Sequence, residues 1–254
     1  MSIKLYNDDC FLVMERLARE NPKGLAESII TDPPYFLSNG GMTCQAGEVV
    51  SVNKGAWDKS MGAEENHKFN KKWLAAAQKL LTADGTLWVS GTHHVIHSIG
   101  FAMQELGFKI LNEITWEKPN PPPNLSCRYF THSTETLIWA AKNEKSKHCF
   151  NYELMRSFNG GKQMKTVWQF LPPKAEEKAY GKHPTQKPVA LMERCILAST
   201  ESGMTVLDPF MGSGTTGIAA IANSRNFIGI EQEKEYFQLA QTRLNNTPIQ
   251  LKVA

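Results

Sequence analysis

A glycine-rich turn between a strand and a helix constrains the fold of this chain more than any other segment. Residues 204–207 predict a strand, Asp208-Pro209-Phe210 follows, and glycines stand at 212, 214 and 217 at the start of a predicted helix. Glycines at this spacing allow a backbone to approach a nucleotide-like group closely. Glu231 ends the next predicted strand, ~20 residues further on, where an acidic side chain binds ribose hydroxyls. The pattern therefore predicts an adenosine-containing cofactor, and it does not separate NAD from S-adenosylmethionine.

A second segment, Asp32-Pro33-Pro34-Tyr35, follows a short apolar strand predicted for residues 27–31. An exocyclic amine of a nucleobase is a poor nucleophile because its lone pair is delocalised into the ring. A carboxylate and a backbone carbonyl that accept its two N–H groups stabilise the positive charge that develops during attack. Asp32 supplies the carboxylate, the prolines stiffen the backbone so that a carbonyl points inward, and Tyr35 offers a ring face to the base.

Helices and strands alternate over most of the chain, which favours a mostly parallel sheet covered on both faces. Asp84-Gly85 predicts a turn, the long polar segment 38–62 predicts a mobile loop, and no regular structure is predicted for residues 144–181. The predicted helices are 66–81, 95–106, 191–200, 215–222 and 233–244, and the predicted strands are 27–31, 86–90, 108–116, 134–141, 204–207 and 226–230.

Composition narrows the class of protein. A chain of 254 residues with 41% hydrophobic and 21% charged residues predicts a single α/β domain over residues 1–254. We expect no signal peptide, no membrane span and no membrane partner, because apolar runs are short. Five scattered cysteines without a CxxC pair predict no metal site and a reducing, cytoplasmic location. The net charge of +3 permits nucleic-acid binding without establishing it.

On these two segments the chain resembles the amino-group DNA methyltransferases, which modify N6 of adenine or N4 of cytosine. Residues 32–35 match their catalytic motif and residues 208–216 their cofactor motif. The catalytic motif precedes the cofactor motif, as in the β class of the family. The resemblance implies a circularly permuted Rossmann-like α/β fold with a mostly parallel twisted sheet and helices on both faces. It also implies S-adenosylmethionine as cofactor and DNA as substrate.

Three stretches indicate a particular subgroup of this family: residues 32–41, 49–59 and 124–136. They are similar to the second adenine methyltransferases of Dpn-type GATC restriction–modification systems, which act on single-stranded as well as double-stranded DNA. The resemblance implies N6-methyladenine in GATC as the product and a cognate restriction endonuclease in the same system. Because β-class relatives are often dimers, a homodimer is left open. Residues 38–62 are expected to contact DNA, and residues 144–182 to form a target-recognition region.

The resemblance also assigns roles by position. Asp32, Pro33, Pro34 and Tyr35 are expected to be catalytic. A basic side chain before a helix start, Lys187, is expected to meet the cofactor's carboxylate. In full, cofactor binding is expected of Asp9, Cys10, His183, Lys187, Asp208, Phe210, Gly212, Ser213, Gly214, Thr215 and Glu231. DNA contacts are expected of Asn39, Lys54, Trp57, Arg128, Tyr129, His132 and Lys162.

Several rival functions stay open at this point. The same pocket chemistry permits methylation of cytosine N4, although the family associates Asp at the first motif position with adenine and Ser with cytosine. Enzymes that methylate a protein glutamine favour Asn where Asp32 stands. An NAD-dependent oxidoreductase needs an acid–base pair at the glycine turn, and the sequence offers no candidate. A non-catalytic DNA-binding module has no need of an intact Asp-Pro-Pro-Tyr segment.

Overall fold

The computed structural model describes residues 1–40, 42–45, 48–51 and 53–248. Within these residues the strands are β1 (Ile3–Tyr6), β2 (Ala26–Thr31), β3 (Met42–Gln45), β4 (Glu48–Ser51), β5 (Leu81–Gly91), β6 (Lys109–Glu117), β7 (Thr134–Ala141), β8 (Val167–Gln169), β9 (Thr205–Asp208) and β10 (Asn226–Ile230). The helices are α1 (Cys10–Glu20), α2 (Ala63–Leu80), α3 (Ile96–Glu105), α4 (Tyr152–Phe158), α5 (Val189–Ser199), α6 (Thr215–Ala222) and α7 (Lys234–Asn245).

Eight strands form one sheet in the order β1-β10-β9-β2-β5-β7-β6-β8. The strands from β1 to β5 in that order are parallel, and β7 runs antiparallel to both of its neighbours. The first strand of the chain pairs with the last, so the N-terminal half completes the sheet that the glycine turn belongs to. The predicted permuted, mostly parallel α/β fold is confirmed.

Alternate residues of the central strands point to opposite faces of the sheet, as the two-residue period of a strand requires. Ile29 packs in the core beneath α1, α2 and α3, whereas its neighbour Ile30 packs in the core beneath α4, α5, α6 and α7. Trp88 lies on the second face, stacked on Trp139 with ring centroids 4.8 Å apart. Helices therefore cover both faces, as predicted.

The order of the strands brings the two motifs together. β2 and β9 are adjacent and parallel, with Ser28 opposite Val206 and Ile29 opposite Leu207. Because parallel strands end at the same edge of a sheet, the residues after each strand meet there. Thr31 donates a hydrogen bond from its hydroxyl to Asp208 Oδ1 over 2.8 Å, and Asp32 follows directly.

The segment 38–62 is more regular than predicted. β3 and β4 form an antiparallel hairpin, and residues 56–58 form a turn of 3-10 helix. Thr43, Val49 and Val50 are β-branched and favour strands, but the polar residues between them mask the pattern in the sequence. Gly41, Ala46, Gly47 and Val52 lie outside the described residues, and the mobility predicted for this segment stays a prediction.

Asp84-Gly85 lies within the bounds of β5, but the ladder with β2 is interrupted there, since Leu81 pairs with Ala26 and Thr86 with Ser28, so the chain still bends at this point as predicted. A further prediction about local structure is wrong. The segment 144–181 contains α4, β8 and a 3-10 turn at residues 176–178. Trp168 of β8 is buried beside Trp88, which shows that a few apolar residues far apart in sequence order this segment through tertiary packing. β1 and α1 were not predicted.

Gly217 sits where α6 crosses β10, and an added Cβ would lie 2.5 Å from Phe227 Cε1 and 2.8 Å from Leu244 Cδ2. We expect Gly217→Ala to lower the free energy of unfolding by about 1–3 kcal/mol, because overpacking outweighs the better helix propensity of alanine. Urea denaturation measures the change. Gly100→Ala in α3 is the matched control, since its Cβ would meet only the flexible Ile138 Cδ1 at 3.3 Å. Equal effects at both positions would contradict the packing role.

Candidate active site

A cavity of about 440 Å³ opens at the carboxyl ends of β2, β9 and β10. Its size lies within the range of ~300–1,000 Å³ that is usual for small-molecule sites. Both motifs contribute to its wall, together with the start of α1 and the segment before α5. Among the predicted site residues, those that line it are Asp9, Cys10, Asp32, Pro33, Pro34, Tyr35, Lys54, Trp57, His183, Lys187, Asp208, Phe210, Gly212, Ser213, Thr215 and Glu231.

The carboxylate of Asp32 is held by three side-chain donors. Tyr35 and Ser90 donate from their hydroxyls to Oδ1 over 2.5 and 2.6 Å. Lys187 donates from its ammonium to Oδ2 over 2.6 Å, so the structure places it at Asp32; its predicted contact with a cofactor carboxylate stays a prediction. Burial and the charge of Asp32 raise the pKa of the Tyr35 phenol well above its usual value. The phenol is therefore a neutral donor that orients Asp32.

The backbone after the Pro-Pro pair is fixed by Asp58, a residue that the sequence did not single out. Asp58 is buried and accepts hydrogen bonds from the main-chain N–H groups of Tyr35, Phe36 and Leu37 at 2.9, 2.7 and 3.2 Å. It also accepts from the Ser38 hydroxyl over 2.9 Å. Phe36 has a φ of 60°, a conformation that is rare outside glycine and has to be held by its surroundings. Asp58 supplies that support.

The glycine turn is shaped by close packing on both sides. Gly212 has a φ of 50°, and a Cβ there would lie 3.1 Å from His183 Nε2. Gly214 does not line the cavity, and a Cβ there would point at α7 and lie 3.0 Å from Ala240 Cβ. Its role in cofactor binding stays a prediction.

A buried arginine, Arg243 of α7, supports the glycine turn and was not predicted. Its guanidinium donates to the carbonyl and the hydroxyl of Ser213 over 2.5 and 2.7 Å, and to the hydroxyl of Thr215 over 3.2 Å. Arg243 therefore holds both the backbone and the hydroxyl groups of the turn in place.

Two acidic side chains lie at the floor of the cavity. Glu231 accepts from the N–H groups of Gly212 and Glu233 over 2.9 and 2.8 Å, and burial raises its pKa. Asp208 accepts from Thr31 and from Phe210 N, and burial raises its pKa to about 7 despite these donors. A cation placed beside Asp208 favours its ionised form, since opposite charges lower the pKa of a carboxyl group.

An aromatic wall closes one side of the cavity. The ring of His183 stacks on Trp57 with centroids 6.3 Å apart and an interplanar angle of 23°. It also meets the ring of Tyr236 edge-on at 4.2 Å. Burial and the neighbouring Lys187 lower the pKa of His183 to about 4, so the imidazole is neutral near pH 7. Flat neutral rings in this arrangement suit a planar heterocycle.

The residues predicted to contact DNA fall into two groups. Lys54 and Trp57 line the cavity, and Asn39 lies near them, joined to Phe36 O through its side-chain amide over 2.8 Å. Arg128, Tyr129, His132 and Lys162 are exposed and lie outside the cavity. His132 nevertheless stacks on His93, which follows β5, with centroids 4.6 Å apart. The loop between β6 and β7 therefore lies at the edge of the sheet that carries Asp32.

Over the described ranges, no group of three or more His, Cys, Asp or Glu side chains is placed to hold a metal ion. In the same part of the chain, no helix is long and apolar enough to cross a membrane.

Residues 26–242 match the model of a DNA methylase family. The chain is 55% identical over 242 residues to the type II methyltransferase M2.LlaDCHI of Lactococcus lactis subsp. cremoris, covering 95% of this chain and 88% of that protein. It is 54% identical to M2.DpnII of Streptococcus pneumoniae, covering 94% and 88%. Among solved structures, the complex of M1.HpyAVI with SAM superposes with a TM-score of 0.74 at 34% identity, covering 96% of this chain and 99% of that one.

Asp208 has a folded-state pKa of about 7 against 3.8 for an ordinary aspartate. Its burial therefore lowers stability progressively as pH rises from 3.8 to about 7, and the loss is constant above that. We expect Asp208→Asn to raise the free energy of unfolding by on the order of 2 kcal/mol at pH 8 and by much less at pH 5. Urea denaturation at both pH values measures this, with the exposed Asp84→Asn as control. A gain in the free energy of unfolding that is equal at both pH values would contradict the raised pKa of Asp208.

Proposed function

The chain belongs to the DNA methylase family, whose cofactor is S-adenosylmethionine, and we propose that it methylates N6 of adenine within GATC. The observation that carries the proposal is the single cavity shared by both motifs. Asp32 and Asp208 end adjacent parallel strands, and the Thr31–Asp208 hydrogen bond joins the two strand ends. An amine held at Asp32 therefore faces the glycine turn directly, as a transfer between two bound molecules requires.

The chain's own residues supply binding and orientation in this reaction. When bound, S-adenosylmethionine supplies a methyl carbon that is activated by the positive charge on sulfur. Asp32 accepts one N–H of the target amine, and a carbonyl of Pro33 or Pro34 accepts the other, which stabilises the charge that develops on nitrogen. Tyr35 contributes its ring to the cavity wall and its hydroxyl to the orientation of Asp32. No covalent bond to the protein is needed.

The wall of the cavity fits the cofactor's parts. Glu231 ends β10 beside Gly212, where its carboxylate suits ribose hydroxyls. Gly212 has no side chain, so its backbone is accessible from the cavity. A Cβ at this position would fill the space between the turn and His183. Asp208 offers a buried carboxyl group that a positive charge stabilises. Asp9, Cys10 and the aromatic wall form the remaining side.

The residues proposed to contact DNA lie both in the cavity wall and outside it. The target base has to leave the DNA stack to reach Asp32, so Lys54 and Trp57 in the cavity wall are placed to meet it. Arg128, Tyr129 and His132 lie on the same edge of the sheet and are proposed to contact the flanking DNA. Lys162 belongs to the proposed target-recognition region, residues 144–182, and segment 38–62 is proposed to close on DNA.

The choice of adenine in GATC is supported by similarity over nearly the whole chain to M2.DpnII and M2.LlaDCHI. Both are named type II methyltransferases, which supports a cognate restriction endonuclease as a partner in the same system. Action on single-stranded DNA, a cytoplasmic location and a homodimer stay predictions. Cytosine N4 remains the rival target, because the geometry at Asp32 accepts any exocyclic amine.

Nucleoside analysis of methylated DNA tests this function. The protein is incubated with S-adenosylmethionine and a GATC duplex, its separated strand, or a duplex in which the adenine is replaced by thymine. We expect N6-methyladenine in both GATC substrates and none in the substituted duplex. N4-methylcytosine as the product would support the rival target. Binding of NAD without binding of S-adenosylmethionine would remove the cofactor assignment.

Asp32→Ala removes the proposed acceptor for the amine while leaving the glycine turn intact. We expect kcat for methyl transfer to fall by roughly 10²–10³-fold or more, because the developing charge loses its carboxylate. The affinity for S-adenosylmethionine, measured by isothermal titration calorimetry, is expected to change little. Glu64→Ala on the exposed face of α2, where the side chain is 81% exposed, serves as the control. Full activity in Asp32→Ala would refute the role of Asp32.

A further inference from the structure

Glu135, near the start of β7, lies at the back of the catalytic carboxylate and has no role in the sequence-based prediction. Its side chain is 11% exposed, and β7 pairs with β5, the strand that carries Ser90. Glu135 Oε2 lies 3.3 Å from the Tyr35 hydroxyl and 3.4 Å from Lys187 Nζ. These are two of the three donors that hold Asp32. The two carboxylates therefore share their donors.

The sharing is unequal in this structure. The Tyr35 hydroxyl and the Lys187 ammonium lie at 2.5 and 2.6 Å from Asp32, clearly closer than they lie to Glu135. Each donor thus has a short bond to Asp32 and a longer contact to Glu135 Oε2. Glu135 Oε1 is fixed on its other side by an ion pair with Lys118. Oε1 of Glu135 is therefore held by Lys118, whereas Oε2 makes only the two longer contacts to Tyr35 and Lys187.

The charges of this group balance. Asp32 and Glu135 carry two negative charges, and Lys118 and Lys187 carry two positive charges. Burial raises the pKa of Glu135, but the ammonium groups of Lys187 and Lys118 outweigh it and hold the pKa at about 2. Burial lowers the pKa of Lys187, and the two carboxylates overcome this and raise it. Glu135 and Lys187 are therefore both charged near pH 7, so a donor released by Asp32 finds a charged acceptor in Glu135.

This arrangement bears on the proposed reaction, because a target amine needs an oxygen lone pair of Asp32. Lys187 occupies Oδ2, and two hydroxyls occupy Oδ1. Moving the Lys187 ammonium away from Asp32 without another partner would leave a buried charge unpaired, which is strongly unfavourable. An acceptor already within 3.4 Å removes most of that cost.

We propose that Glu135 is a positioning residue that takes over the Lys187 ammonium and the Tyr35 hydroxyl when the target amine binds Asp32. The inference rests on the proposed function, since it assumes that Asp32 accepts the amine. Glu135 does not touch the amine or the cofactor. Glu135 offers the donors of Asp32 a second acceptor, which leaves the Asp32 carboxylate available to the amine. Lys118 holds the Glu135 side chain in place while the donors move.

Glu135→Gln keeps the shape of the side chain and removes its charge, so Lys187 stays on Asp32. We expect kcat at saturating DNA and cofactor to fall about 10–100-fold, because the amine has to compete for Asp32 in the transition state. The dissociation constant of S-adenosylmethionine is expected to stay at the wild-type value, since Glu135 is not a lining residue of the cavity. Glu113→Gln, an exposed glutamate on the adjacent strand β6, is the matched control and is expected to retain full kcat.

A double variant separates this role from simple charge balance. Glu135→Gln alone leaves Lys118 without its partner, whereas Glu135→Gln with Lys118→Met restores neutrality and gives a folded protein if the single variant is unstable. If Glu135 serves only to neutralise Lys118, the double variant regains wild-type kcat. Under our proposal the double variant remains as slow as Glu135→Gln, because Lys187 still lacks its second acceptor.

Three results overturn the inference: wild-type kcat in Glu135→Gln, recovery of kcat in the double variant, or a loss confined to cofactor affinity. Activity of the wild-type protein distinguishes failure of this inference from failure of the proposed function. If the wild-type protein transfers no methyl group to DNA, the function fails. If it produces N6-methyladenine and Glu135→Gln does so equally fast, only the role of Glu135 fails.

Discussion

The hydrogen bond between Thr31 and Asp208 is the contact on which the rest of the site depends. It lies buried between the ends of two adjacent parallel strands, β2 and β9, that are far apart in the sequence. The segment after β2 presents Asp32, and the segment after β9 forms the glycine turn. Because the strand pairing fixes the distance between these two segments, the proposed positions of the amine and the methyl donor are brought together by the sheet itself.

Around the Thr31–Asp208 hydrogen bond, buried polar groups position the backbone and the side chains of the site. Asp58 holds the turn after the Pro-Pro pair, Arg243 holds the glycine turn, and Glu135 lies behind Asp32. Each satisfies several donors or acceptors at once, as buried charges must. These buried contacts therefore support three parts of the site, and segment 38–62, which follows residues 32–35, contributes the ring of Trp57 to the cavity wall.

The sequence predicted the parts of this structure that are encoded locally. The strand before Asp32, the glycine turn and the distal Glu231 follow from short patterns, and their order indicated the permuted sheet. Asp58, Arg243 and Glu135 were missed because their partners lie 17 to 100 residues away and no local pattern marks them. The structure of residues 144–181 was missed because Trp168 and its neighbours are too widely spaced to form a periodic signal.

The way Asp58 holds the catalytic turn also affects how such a chain is able to diverge. Three of the four hydrogen bonds that the Asp58 carboxylate accepts come from main-chain N–H groups, which every residue except proline possesses. The main-chain part of this anchor thus does not depend on which side chains project from the turn. Substitution of Leu37 by any residue except proline leaves these three hydrogen bonds intact, so the side chain beside the proposed catalytic segment is able to change without loss of the geometry at Asp32.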